Sequence, residues 1–144
     1  MECSFCSEIN NKEENNFFDI YLKEAFEKDG LDSRIVATTQ KFVIMPMVGP
    51  LVPGYLLIVP KDHYLSIAQW PKEQVEELKI IKEELKNVFE QHYGKSVFYE
   101  HGALSCSAKG GCCSDHAHLH IVAVNIDVKD KFDKYGYELR QLED

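Results

Sequence analysis

The chain has 144 residues, 44% hydrophobic and 28% charged, and its formal net charge of −8 sets 16 Lys+Arg against 24 Asp+Glu. That length and balance predict one water-soluble domain, residues 1–144, whose core needs no covalent staples. The acidic excess argues against a nucleic-acid polymer as main partner. A membrane role is not expected either, since no apolar run approaches the roughly 20 residues that span a bilayer and Met1-Glu2-Cys3 does not open a signal peptide. A cytoplasmic location is expected. An anionic small ligand stays compatible, because local amides and imidazoles can override the net field.

Five cysteines, an odd number, fit a reducing compartment better than a disulfide framework. Cys3 and Cys6 have the Cys-x-x-Cys spacing of half a tetrahedral zinc site, with a pair of free thiols as the alternative. Residues 8–16 are polar and read as a loop. Residues 17–28 read as a helix with Phe18, Tyr21, Leu22, Ala25 and Phe26 on one face, capped by Asn16 and ended at Gly30. Residues 34–38 and 42–45 form a predicted hairpin through Thr39-Gln40-Lys41. Pro46, Gly49, Pro50, Pro53 and Gly54 then make a stiff connection. Residues 55–59 are a continuous apolar run, hence a buried strand, with His63 just beyond its end and expected to bond to backbone. Trp70-Pro71 opens the clearest helix, residues 72–92, whose inner stripe is Val75, Leu78, Ile81, Leu85, Val88 and Phe89, and Gly94 stops it. A strand at 96–100 runs into His101-Gly102. The tail, 126–144, carries Phe132, Tyr135, Tyr137 and Leu139 among many charges and reads as a packing segment or substrate lid.

Chemistry concentrates at 115–124, Asp-His-Ala-His-Leu-His-Ile-Val-Ala-Val, which reads as a β-strand. Alternate side chains of a strand share a face, so His116, His118 and His120 project together, with neighbours about 7 Å apart. Three imidazoles on one buried face are costly unless each ring nitrogen finds a partner. They suit either a metal ion or nucleophilic catalysis by the central His118. The preceding loop, residues 107–114, is built of small residues with Gly110 and Gly111. Such a loop can hold phosphate oxygens by backbone N–H groups, a property of no use to a metal cage.

His116 to Val122 spells histidine and hydrophobic residues in alternation followed by two further hydrophobics. Residues 52–63, Val-Pro-Gly-Tyr-Leu-Leu-Ile-Val-Pro-Lys-Asp-His, add a Pro-Gly-x, hydrophobic strand, Pro-Lys-x-His block. With these two motifs the chain resembles the histidine triad (HIT) family of nucleotide hydrolases and transferases, of a divergent bacterial type, over about residues 34–125.

The resemblance implies an α+β fold: an antiparallel sheet of about five strands with two main helices, dimerising by extension of the sheet. It implies attack by His118 on the α-phosphorus of a nucleoside phosphoramidate or dinucleoside polyphosphate through a nucleotidyl-histidine. His120 would bond the phosphate or leaving group, and His116 would fix tautomer and strand geometry. Amides of Gly111, Cys112, Cys113 and Ser114 would hold phosphoryl oxygens, with Glu100 standing where relatives have an amide side chain. The ribose-binding aspartate that relatives place near Met47 is absent. No cofactor is required for this chemistry. Relatives with the N-terminal cysteine pair bind structural zinc through the first triad histidine, here His116, and through the histidine of Pro-Gly-His. That second position is Tyr55, a poor zinc ligand, which leaves His63 and His101 as substitutes. The competing classes are a metal-binding protein or metalloenzyme with the triad as ligands, and a nucleotide-binding protein without catalysis.

Overall fold

A computed structural model describes residues 3–12, 16, 18–102 and 116–140, with Tyr21 and Ala25 described in backbone only. The expected phosphate-holding residues Gly111, Cys112, Cys113 and Ser114 lie outside the described residues, as do Phe17 and the side chains of Tyr21 and Ala25.

Five strands form one antiparallel sheet in the order β1-β2-β3-β5-β4: β1 Ala37–Thr38, β2 Phe42–Pro46, β3 Leu56–Pro60, β4 Ser96–Tyr99 and β5 Leu119–Ala123. Every neighbouring pair is antiparallel. The helices are α1 Ser4–Ile9, α2 Lys23–Phe26, α3 Lys72–His92 and α4 Val128–Lys134. The fold class expected from the sequence is therefore the one found.

Both faces of the central strands are covered, which is why β2 and β3 are unbroken apolar runs instead of alternating ones. Phe42, Ile44, Ile58 and Leu119 pack on one face with Trp70, Leu78 and Ile81 of the α3 region. Val43, Met45, Tyr55, Leu57 and Val59 occupy the opposite face with Phe5 of α1. Strand alternation assigns the triad: Ala117 and Leu119 belong to the α3 face, so His116, His118 and His120 look toward α1.

Several boundaries moved. Among the described residues of the predicted strand 115–124, ladder geometry covers Leu119–Ala123, and Ala117 N–H leaves the ladder and donates to Tyr64 O at 2.6 Å. The predicted strand 34–38 keeps ladder geometry only at Ala37–Thr38. The predicted helix 17–28 is a wide turn at Phe18–Leu22, one α turn at Lys23–Phe26 and a tight turn at Glu27–Asp29. Asn16 does cap it, accepting from Phe18 N–H at 3.1 Å, and Gly30 closes it at φ 70°. Helix α3 has the expected bounds, but Val88 is exposed and Gln74 takes a buried place in the inner stripe. At the tail, Phe132 and Tyr137 pack ring on ring at 5.7 Å yet remain 40% and 62% exposed.

Helix α1 was not expected, since its six residues offer too little periodicity. Tertiary contacts hold it. Arg34 donates from Nε to Glu8 Oε1 at 2.6 Å and from its second guanidinium nitrogen to Glu8 Oε2 at 2.9 Å, a fork on a carboxylate, and from the third to Pro46 O at 2.8 Å. Both side chains are almost fully buried. Removing one partner of a buried pair leaves the other charge uncompensated, at a cost of about 3–5 kcal/mol. Arg34→Ala is therefore expected to lower unfolding free energy by about 3 kcal/mol in urea melts, and Arg34→Lys, which lacks the fork, to recover only part of it.

Candidate active site

Beneath α1 the triad divides into two clusters. The rings of His118 and His120 stay together, with centroids 4.6 Å apart. His116 shares the α1 face with them but lies in the bend before β5, with its ring against the cysteines of α1 and its N-cap. Its Nδ1 is 3.4 Å from Cys3 Sγ and 3.5 Å from Cys6 Sγ, and its Nε2–H donates to Pro60 O at 2.9 Å. His63 completes the group, with Nδ1 3.4 Å from Cys6 Sγ and its ring 4.9 Å from that of His116.

Cys3, Cys6, His63 and His116 thus present four ligand atoms, all within 4.8 Å of one another. Zinc bonds of about 2.3 Å to sulfur and 2.0–2.1 Å to nitrogen, arranged tetrahedrally, require sulfur–nitrogen edges of about 3.5 Å. Three such edges here are 3.4, 3.4 and 3.5 Å. The donor set fits the ion, and the Pro60 carbonyl provides the outer hydrogen bond that fixes a ligating imidazole. Burial is the largest influence on His116 and pushes it down from 6.5 to about 4, against the Pro60 bond that raises it, so the ring is neutral near pH 7 and has a lone pair to offer. Of the two substitutes for Tyr55, His63 stands beside the cysteines and His101 does not. The expected bond of His63 to backbone is replaced by this contact with sulfur.

The second cluster is His118, His120 and His101, whose ring nitrogens also come within 4.8 Å of one another. His118 Nδ1 lies 2.7 Å from the carbonyl oxygen of His116. A carbonyl can only accept, so the proton sits on Nδ1 and the lone pair of the neutral ring on Nε2. Burial, above all, lowers the pKa of His118; nearby His101 and Arg34 act in the same direction, while the His116 carbonyl and Glu100 oppose them. Phe5 seals this side, its ring 5.3 Å from His118 and 5.7 Å from His116.

Tyr55, where the sequence resemblance called for a histidine, is not a zinc ligand in this arrangement. Its hydroxyl is 3.0 Å from His120 Nδ1 and also bonds to the Tyr99 hydroxyl. Tyr99 lies flat against His120, centroids 4.6 Å apart and planes 4° from parallel. His120 is therefore held at one nitrogen and one ring face, while its buried Nε2 has no partner among the described residues. Burial, reinforced by His118 and His101, lowers it to about 4.

Glu100 Oε1 accepts from Ile67 N–H at 3.3 Å, at the start of a tight turn capped by Ser66. The carboxylate is thereby satisfied by an amide, while its field still reaches His118. Sequence reasoning passed over Tyr55 as a support for His120 and over α1 as the cover of the site. Tyr55 carried a usable signal: it follows Pro53-Gly54 at the head of the strand that pairs with β5.

An antiparallel sheet with this strand order, a long helix across one face and alternating histidines on the other, is the histidine triad fold. The chain belongs to the HIT family. The family model described as "Scavenger mRNA decapping enzyme C-term binding" matches residues 2–136. A curated relative, bis(5'-adenosyl)-triphosphatase of Dictyostelium discoideum, is 26% identical over 91 residues, 62% of this chain and 59% of the relative, so the match spans about three-fifths of that protein's length. A zinc-bound histidine triad family protein from Mycobacterium smegmatis superposes with a TM-score of 0.60 at 17% identity, covering 89% of this chain and 79% of that one. A histidine triad protein from Clostridium difficile does so with a TM-score of 0.54 at 21% identity, covering 99% and 97%.

Two predictions follow from the surroundings of His120. Its folded pKa is below its ordinary value, so between about pH 6.5 and 4 the unfolded chain binds the additional proton. The stabilising contribution of the neutral ring is complete above 6.5 and is lost as pH falls toward 4; in urea melts from pH 7 to 4.5, His120→Gln should flatten the decline. Tyr55→Phe strips the partner from a buried ring nitrogen and should cost about 1–2 kcal/mol of stability. The same variant should broaden or shift the His120 imidazole resonances, which the wild-type contact holds in one state.

Proposed function

We propose that this protein is a nucleotide hydrolase or transferase that cleaves at the α-phosphate of a nucleoside phosphoramidate or dinucleoside polyphosphate through a nucleotidyl-histidine on His118. The observation that carries this reading is the His118–His116 carbonyl bond, which commits the Nδ1 proton to backbone and leaves Nε2 as the nucleophilic nitrogen. A buried imidazole of lowered pKa is already neutral at pH 7 and needs no base to activate it. In the first step Nε2 attacks phosphorus, the N–P bond forms, and the bond to the leaving group breaks with its electron pair. Water then displaces His118 and releases the nucleoside monophosphate.

His120 Nε2, buried and without a partner among the described residues, suits a hydrogen bond to a phosphoryl oxygen. Amides of Gly111, Cys112, Cys113 and Ser114 would supply further donors, and Glu100, anchored by Ile67, would border the substrate. Membership of the HIT family supports the reaction class, and the triphosphatase relative supports the dinucleoside polyphosphate branch of it. The fold is compatible with a homodimer built on the free edge of β4.

In the same reading Cys3, Cys6, His63 and His116 hold a structural zinc ion, supported by the tetrahedral edges above and by the zinc-bound relative. The ion takes no part in the reaction; bound there, it would fix the bend at His116, whose carbonyl orients His118. A metalloenzyme that used the triad itself would have to replace His116 by His101, because His116 faces sulfur. Metal analysis separates the two. Cys3→Ser should abolish a single zinc equivalent while His118→Ala retains it; metal lost with His118→Ala would reverse the assignment.

The test of the chemistry is incubation with a dinucleoside polyphosphate and an adenosine phosphoramidate. Wild-type protein should release AMP, and acid-labile adenylate should be trapped on His118. His118→Ala should lose at least about 10⁴-fold in rate. Equal rates for the two proteins would refute the mechanism, and AMP binding without turnover by either would leave a nucleotide-binding module.

A further inference from the structure

Transfer of the nucleotidyl group to His118 leaves one requirement unmet. An amine or alkoxide leaving with the bonding electron pair needs a proton in the transition state, whereas a weakly basic leaving group does not. Neither buried triad ring is suited to bring one. His118 holds its Nδ1 proton on a backbone carbonyl and spends Nε2 on phosphorus, and His120 is buried with its Nδ1 on the Tyr55 hydroxyl and its Nε2 turned to the phosphoryl oxygens.

His101 is placed differently. It stands two residues beyond the end of β4, is exposed, and has its ring beside both members of the pair. Its ring is 4.9 Å from His120 and 21° from parallel to it, and 6.0 Å from His118 at 76°. A ring nitrogen of each comes within 4.8 Å of the others, about the span of a phosphoryl group and the atom leaving it. Being exposed, the ring is in contact with the water from which a proton can be drawn and to which it can return. The Tyr99 ring, 6.2 Å away and 24° from parallel, flanks it beside His120.

On the nucleotidyl-transfer reading above, we propose that His101 is a catalytic residue, the acid that protonates the leaving group as His118 attacks. When the bond from phosphorus to the leaving atom breaks, the electron pair remains on that atom and takes the proton from the His101 cation, which becomes neutral. In the second step neutral His101 accepts a proton from the attacking water, the N–P bond breaks with its pair returning to His118 Nε2, and both residues regain their starting states. No oxidant, metal or further co-reactant enters the balance. His120 is left as a neutral donor to the phosphoryl oxygens.

The experiment pairs two adenylate substrates that differ only in leaving group: an alkyl phosphoramidate of adenosine, whose amine must be protonated to depart, and adenosine 5'-(4-nitrophenyl phosphate), whose phenolate departs unaided. The ratio of kcat/KM for the amidate to that for the nitrophenyl ester, which reports the first irreversible step, should fall about 100-fold or more in His101→Gln. With the ester, His101→Gln should also give a burst of one nitrophenolate per site followed by slow turnover, because the second step now lacks its base. His101 is exposed, so the substitution opens no core, and the ester rate serves as the internal measure of a folded site. An unchanged ratio, whether both rates fall together or neither does, overturns the role of His101 and leaves the nucleotidyl-histidine standing. Failure of the wild-type protein to cleave either substrate overturns both.

Discussion

The hydrogen bond from His118 Nδ1 to the His116 carbonyl joins two halves of the structure that would otherwise be independent. On one side, His116 commits its ring to the sulfur atoms of Cys3 and Cys6 and to Pro60. On the other, the same residue's backbone decides which nitrogen of His118 keeps the proton. The local departure from sheet geometry serves this arrangement. Ala117 N–H is diverted to Tyr64 O, the His116 ring lies against the cysteines, and regular pairing begins at Leu119. A strand continued straight through the bend would stack three imidazoles in one row; the bend makes one row into two sites.

Such an arrangement is costly unless the rings stay neutral and covered. Cover comes from α1, a helix too short to be stable alone. It is held by Phe5 against two of the triad rings and by the buried fork between Arg34 and Glu8. Arg34 sits at the end of the first hairpin and Glu8 next to the cysteines, so the ion pair places the sulfur ligands over the histidine face. A charge pair in this location gives little net stability compared with a well-packed apolar pair. Its directional geometry is what a helix of six residues cannot obtain from hydrophobic contact.

The sheet, helix α3 and the alternation of β5 were legible because each rests on a repeating signal. Period two marked the histidines, continuous apolar runs marked β2 and β3, and a 3.6-residue stripe fixed α3 to its correct ends. What escaped was set by contacts distant in sequence. Helix α1 has no period to read, and Cys-x-x-Cys masks it. His63 could be named as a substitute ligand, but only the turn after β3 brings it to Cys6. Tyr55 was read for what it lacks as a metal ligand; its hydroxyl acts instead on His120, sixty-five residues away, across the β3–β5 pairing. Val88 followed the stripe of α3 yet lies outside, although the next residue, Phe89, is buried.

The overall charge of −8 sets the terms on which such a site can hold an anion. Long-range attraction is not available, since the net field repels phosphate until screening removes it beyond about 8 Å at physiological salt. Arg34, whose charge reaches His118, is already bound by Glu8 and cannot be the phosphate clamp. On the proposed reading, neutral N–H donors at close range would suit the anion, since none of them carries the desolvation cost of a full charge. Such donors discriminate by geometry and release a monoanionic or dianionic product more readily than a fixed guanidinium would. On the proposed reading, an acidic shell and buried imidazoles together would favour turnover over tight retention of a nucleotide.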